Sequence, residues 1–365
     1  MIYLDNAATT RMSKDVLMSV NQCSVEYYSN PSSSHYYAKE LTKLIEDARC
    51  KVAALIGGKP EEVSFNSGAT EGINTILRGY VEANIEKGAH VITTKVEHKA
   101  VLATCDYLEN IGLEVSYLDV DENGQVDIDQ LKGSIRDDTL LVAMLWVNNE
   151  TGVMQDIEEI SRIVKGTGAK LFVDATQVAG KLPIDVEEMG VDLLCLSGHK
   201  FHGPKGVGAI YVKEGIKLAP LLYGGGQEEG LRSGTLNVSG IVGLGKACEL
   251  SEVNNSEVIT VMSYLEQSIK KNFDAYIIGE NTRRSPYISN VVFKGADADI
   301  VIGKLKETMV SSGSACTSRI VEPSHVLTNM GLGQDESFSS LRFSISKYTT
   351  MEEIDKAIQE LREVL

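Results

Sequence analysis

The chain has 365 residues, 43% hydrophobic and 24% charged, with a formal net charge of −16 from 35 basic and 51 acidic side chains. That length suits two packed domains, and the composition is that of a globular protein, not a disordered one. So acidic a chain repels phosphate backbones and carries no dense basic run, so no direct nucleic-acid binding is expected.

No apolar stretch reaches the roughly 18 residues of a membrane span, and the opening MIYLDNAATTR lacks the basic-then-apolar order of a signal peptide. The six cysteines, at 23, 50, 105, 195, 248 and 316, form no CxxC pair. This spacing predicts reduced thiols in a cytoplasmic protein, with neither a disulfide framework nor a metal site.

In chain order, Leu41, Leu44, Ile45, Ala48, Val52 and Leu55 recur at three- and four-residue steps and predict a helix over 37–56, stopped by Gly57-Gly58. Short apolar runs at 63–65, 90–94, 114–118, 140–147, 171–174, 193–196 and 208–212 predict strands. Helical patterns at 71–80, 99–110, 128–135 and 157–165 alternate with them. Such alternation argues for a mostly parallel, seven-stranded sheet with helices on both faces. Near Ser239 the texture changes: two long helical patterns (240–252 and 255–272), strands at 288–293 and 341–346, and a closing helix from Met351 predict a smaller α+β C-terminal domain. The expected division is a large domain over 12–250 and a small one from 1–11 and 251–365.

Three features fall at the carboxyl ends of predicted strands, where open α/β sheets bind ligands. Ser67-Gly68-Ala69-Thr70-Glu71 opens a helix, so its backbone N–H groups, the Thr70 hydroxyl and the helix dipole would cradle a phosphate. Read alone, the same residues also make an ordinary N-cap. Asp174 follows an apolar strand directly and needs a cationic partner such as a pyridinium nitrogen, unless it only caps the next turn. Lys200, in Ser197-Gly198-His199-Lys200, sits where partial burial and nearby cations lower an amine's pKa and suit it to a Schiff base. A carboxylate for a ring nitrogen, an amine for an aldehyde and an anion cradle are together what pyridoxal 5′-phosphate requires. His98 ends a strand on the same side and would lie over the ring; Gln177 and Asn149 would hydrogen-bond its hydroxyl. Cys316 lies in SSGSACTS at 311–318, a run of small residues whose pliable backbone makes a thiol reachable.

The ordered set YLDNAATT (3–10), NPSSSH (30–35), SGATE (67–71), EHKAV (97–101), VNNETG (147–152), VDATQ (173–177), SGHKFHGPKG (197–206), GGGQEEGLRSGT (224–235), SSGSACTS (311–318) and LRFS (341–344) runs nearly end to end. With it the chain resembles the cysteine desulfurases of the NifS/IscS type, fold-type I pyridoxal-phosphate enzymes of the class V aminotransferase family. The resemblance implies that Lys200 carries the cofactor, Asp174 pairs with its ring nitrogen, and His98 stacks on the ring and moves protons. It implies phosphate binding by Ala69, Thr70, Ser197 and His199, joined by Thr235 from the second subunit of a homodimer. Gln177 would contact the ring hydroxyl, and Arg342, aided by Asn149, would clamp the carboxylate of L-cysteine. Cys316 would take the sulfur as a persulfide, release alanine, and pass the sulfur to an acceptor protein such as an iron–sulfur scaffold or a tRNA- or cofactor-thiolation enzyme. The alternatives are a selenocysteine lyase, another class V enzyme, or a non-catalytic sulfur-relay paralogue. Asn66, Gly72-Ile73 and Trp146 depart from the usual pattern, and Trp146 is expected to reshape the pocket near Asn149.

Overall fold

The computed structural model describes residues 1–312 and 322–365, so Cys316 lies outside the described residues. A two-residue strand β1 (Ile2–Tyr3) leads into helices α1 (Lys14–Glu26) and α2 (Tyr36–Ile56). On α2 the residues Leu41, Ile45, Ala48, Val52 and Ile56 form the buried stripe, and Gly57 at φ 67° takes the left-handed cap that ends it. Helix α1 escapes a reading of periodicity because only Val16 and Cys23 of its thirteen residues are buried.

Seven strands then build the large sheet: β2 (Val63–Asn66), β3 (His90–Thr94), β4 (Glu114–Leu118), β5 (Thr139–Leu145), β6 (Lys170–Asp174), β7 (Leu193–Ser197) and β8 (Gly208–Val212). Their order is β2-β8-β7-β6-β5-β3-β4. The β7, β6, β5, β3 and β4 run is parallel, and β8 lies antiparallel to both β7 and β2. Two reversals bring β2 back into the direction of β7, so β2, β3, β5, β6 and β7 all end on the same edge. Helices α3 (Ala69–Asn84), α4 (Lys99–Asn110), α5 (Ile128–Ser134) and α6 (Ile157–Val164) connect them. Every residue of β5 is buried, as a strand covered on both faces requires. One face packs with Val142, Met144, Leu171, Val173 and Leu194, the other with Leu141, Ala143, Phe172, Leu193 and Cys195. The predicted strand over 140–147 stops at Leu145: Trp146 and Val147 turn away, and Val147 bridges to Met154.

Helices α7 (Val238–Glu249) and α8 (Ser256–Asn272) follow. Beyond them come β9 (Ala275–Ile277), β10 (Ile288–Phe293), α9 (Ala298–Lys304), β11 (Thr308–Met309), β12 (Ser311–Ser312), α10 (His325–Asn329), α11 (Gln334–Phe338), β13 (Ser340–Ser344) and α12 (Met351–Val364). Four of these strands form an antiparallel sheet, β12-β13-β10-β9, while β1 pairs in parallel with β11. The segment after β1 lies along β13. Leu4 O accepts from Ser344 N, Asn6 Nδ2 donates to Ser344 O at 2.9 Å, and Ala7 N donates to Ser344 Oγ at 2.8 Å. This clamp carries Ala7 and Ala8 to the carboxyl edge of the large sheet.

Candidate active site

A cavity of about 510 Å³ opens where the parallel strands end. Ala69, Thr70, His98, Asn149, Asp174, Gln177, Ser197, His199, Lys200 and Arg342, which the sequence offers from six separate segments, all line it. Thr235 does not; it is exposed on the segment after Arg232, whose guanidinium pairs with Glu71 on α3 at 2.9 Å. Trp146 is buried in the core and does not line the cavity; its backbone N–H donates to the carbonyl of Asp174.

Strand β2 ends at Asn66, whose Oδ1 accepts the Gly68 N–H at 2.9 Å. Gly68 stands at φ 141°, which L side chains avoid, and a Cβ there would come within 3.2 Å of Ser197 Oγ. The departure at Gly72 has a steric reason: a Cβ would lie 2.9 Å from Ile210 Cγ2 and 3.0 Å from Asn66 Nδ2. With α3 set down this closely on β8, the N–H groups of Ala69 and Thr70 at its first turn lack intrahelical partners. They point the helix dipole at the same end of the cavity as Ser197 and His199. Burial, with Lys200, Lys205 and Lys181 adding to it, pulls His199 down to about 4, so its ring is neutral at neutral pH. His199 Nδ1 lies 3.1 Å from Thr9 Oγ1.

Asp174, at the end of β6, is 2% exposed. Its Oδ1 accepts the Thr176 N–H at 2.9 Å and the Cys195 thiol at 3.5 Å. A buried carboxylate with neutral donors alone calls for a cation in the cavity it lines. Lys200, in the short 3-10 turn after β7, reaches across to that cavity. Its Nζ donates to Ala7 O at 2.7 Å and Ala8 O at 2.9 Å. Burial and Arg342 draw this amine down to about 8, with Asp174 and Asp5 opposing them.

His98 caps α4, and its Nδ1 accepts the Ala100 N–H at 3.1 Å. A backbone N–H only donates, so the neutral ring carries its proton on Nε2. Desolvation lowers this imidazole, Asp174 opposes the shift and Lys200 adds to it. Behind it Glu97 is 1% exposed; Oε1 accepts from Thr94 Oγ1 and Leu145 N, and burial pushes the acid up to about 8.

Arg342, on β13, is 7% exposed. Nη1 donates to Asn149 O at 2.9 Å and Nη2 to Asp5 Oδ1 at 2.6 Å, while Nε is buried with no partner among the described residues. An orphaned guanidinium N–H beside a cavity is a place for an anionic oxygen. Asp5, Lys181 and the Ala7 and Ala8 carbonyls were not singled out from the sequence. Asp5 lies inside the YLDNAATT motif, so a charge among small residues there was the available signal; a backbone carbonyl leaves none.

The residues fit pyridoxal phosphate: an anion cradle at α3, a buried carboxylate, an amine and an unsatisfied guanidinium surround one ring-sized space. A family model described as aminotransferase class-V matches residues 2–357. The chain is 43% identical to a cysteine desulfurase of Nostoc sp., across all of this chain and 92% of that one. It is 40% identical to a cysteine desulfurase IscS of Dictyoglomus turgidum, across all of this chain and 94% of that one. Among solved structures it is similar to a NifS-like protein, with a TM-score of 0.92 and 37% identity over 100% of this chain and 98% of the other. It is also similar to SspA in complex with cysteine, with a TM-score of 0.87 and 36% identity over 96% and 100% of the two chains.

Proposed function

Because the chain belongs to the class-V aminotransferase family, we propose that it is a pyridoxal-phosphate-dependent cysteine desulfurase, taking sulfur from L-cysteine to give L-alanine and a persulfide on Cys316. The observation that carries this reading is the convergence of Lys200, Asp174, the α3 N-terminus and the orphaned Arg342 Nε on one cavity. When bound, pyridoxal phosphate supplies an electron sink that weakens the bond between the substrate's β-carbon and its sulfur.

The chain's own residues do the rest. Ala69, Thr70, Ser197 and His199 hold the phosphate, joined by Thr235 of the partner subunit in a homodimer. Asp174 holds the proton on the ring nitrogen. Lys200 binds the cofactor through an amine that is half deprotonated near pH 8, and afterwards moves protons at the substrate's α-carbon. His98 lies against the ring and offers its Nε2 proton. Gln177 faces the ring oxygen. Arg342 receives the substrate carboxylate, with Asn149 at its side, while Asp5 already holds one edge of the guanidinium in place. Cys316, outside the described residues, attacks as the thiolate. The carbon–sulfur bond of cysteine breaks, a sulfur–sulfur bond forms, and the β-carbon collects a proton. Cysteine and enzyme thiol therefore balance alanine and enzyme persulfide with no further oxidant.

The sulfur then passes to an acceptor protein, an iron–sulfur scaffold or a thiolation enzyme, in the cytoplasm. No helix among the described residues is long and apolar enough to cross a membrane. We also divide the chain at 12–250, with 1–11 joining 251–365; the pairing of β1 with β11 supports that grouping.

The test is to mix the cofactor-loaded protein with L-cysteine and quantify alanine and protein-bound persulfide. Wild type should form both, and Cys316→Ala should lose the persulfide. Full alanine output and an undiminished persulfide from Cys316→Ala would overturn the reading.

A further inference from the structure

Lys181 belongs to none of the groups assigned above, yet it is buried at 5% exposure, four residues beyond Gln177 in the turns that follow β6. Its Nζ donates to Gln177 Oε1 at 2.9 Å. Gln177 Nε2 in turn donates to Ala7 O at 2.9 Å, and the same carbonyl accepts Lys200 Nζ at 2.7 Å. We propose that Lys181 is a positioning residue: it locks the polarity of the Gln177 amide so that only an N–H, never the carbonyl, faces the cofactor's ring oxygen.

The two flanks of the amide decide its orientation. A backbone carbonyl only accepts, so the end of Gln177 facing Ala7 must be Nε2. Lys181 donates to the other end, Oε1, which agrees with the orientation that Ala7 sets; an ammonium can only donate, and the neutral amine can do so too. Turning the amide over would set N–H against ammonium and oxygen against oxygen, losing both bonds in a buried place. Nε2 carries two hydrogens, and Ala7 uses one. The second is left for the cavity that Gln177 lines. A donor held there favours the ring oxygen without its proton, and so sets the ionisation of the cofactor attached to Lys200.

A merely space-filling role fits poorly. A buried amine is a costly filler, and the Tyr287 ring, whose centre lies 5.8 Å from Nζ, offsets only part of that cost. Burial, then the charges of Lys200 and Arg342, draw Lys181 down to about 7, a perturbation of the kind that gathers at functional sites. Methionine would fill the same space without that cost.

The proposal rests on the functional reading above, and its test separates the two. Wild type, Lys181→Met, Gln177→Leu and the double variant are loaded with pyridoxal phosphate, and the visible absorption band of each resting protein is titrated with pH. Loosening the donor should raise the titration midpoint in Lys181→Met, by up to the roughly one unit that one hydrogen bond is worth. Gln177→Leu should raise it at least as far, and Lys181→Met should add nothing in that background. An unmoved midpoint in a folded Lys181→Met protein, or an equal increment in both backgrounds, overturns the proposal. If the methionine variant does not fold, Lys181→Arg keeps a donor. Its midpoint should fall nearer wild type than Gln177→Leu, and one as high as Gln177→Leu overturns the proposal. A wild type with no visible band overturns the functional reading, and this proposal with it.

Discussion

At Lys200 opposing pressures meet on one nitrogen. Burial and the Arg342 charge favour the neutral amine, while Asp174 and Asp5 favour the ammonium, and the balance falls near 8. Only the neutral form has the lone pair that captures an aldehyde. Capture of pyridoxal phosphate by the apoprotein should therefore be fast above pH 8 and slow about tenfold for each unit below it. Stopped-flow growth of the visible band checks this, and a rate that is flat from about pH 6 to about pH 9 contradicts it. Lys200 and Asp174 were legible in the sequence because each directly follows an apolar strand, where a charged side chain has few reasons to be. Asp5 and Lys181 were not. The first matters through Arg342, hundreds of residues away, and the second through a neighbouring amide whose own orientation depends on Ala7.

Helix α3 works through its first turn, and that turn depends on glycines. Gly68 holds φ 141° with Ser197 Oγ 3.2 Å from where a Cβ would be. Gly68→Ala should cost about 1–3 kcal/mol of backbone strain and swing the Ala69 and Thr70 N–H groups off the phosphate. The expected result is a folded protein whose dissociation constant for pyridoxal phosphate, by equilibrium dialysis, rises about tenfold or more. An unchanged constant would remove α3 from the cradle. Strands β3, β4, β8 and β10 and helix α4 match the apolar pattern residue for residue; β3 and β10 are buried throughout, so their apolar runs end where the strands end, and α4 buries one stripe of Val101, Thr104, Cys105 and Leu108. Helix α1 and the two-residue strands β1, β11 and β12 do not, because their place is set by partners elsewhere.

At the scale of the whole molecule, Thr235 stands apart from the cavity of its own chain, and the proposed homodimer gives it a site to serve. Mixed dimers distinguish the two arrangements. Pairing a Thr235→Ala chain with a Lys200→Ala chain should leave one fully working site, the one whose lysine is intact and whose threonine comes from its partner. Placing both substitutions on one chain and pairing it with wild type should leave none at full strength. Higher desulfurase activity in the second mixture, measured as alanine per dimer, would return Thr235 to its own subunit, and equal activity would remove Thr235 from the site.

The carbonyl of Ala7 joins Lys200 and Gln177, and it is an atom that every amino acid possesses. Substituting side chains one at a time cannot delete it, so a mutational survey would pass over an acceptor that two of the cavity's side chains share. Its placement is governed at a distance instead: Asn6 and the Ala7 N–H hang on Ser344. A change at Ser344, which touches neither cofactor nor substrate, would be felt by both side chains that share that oxygen.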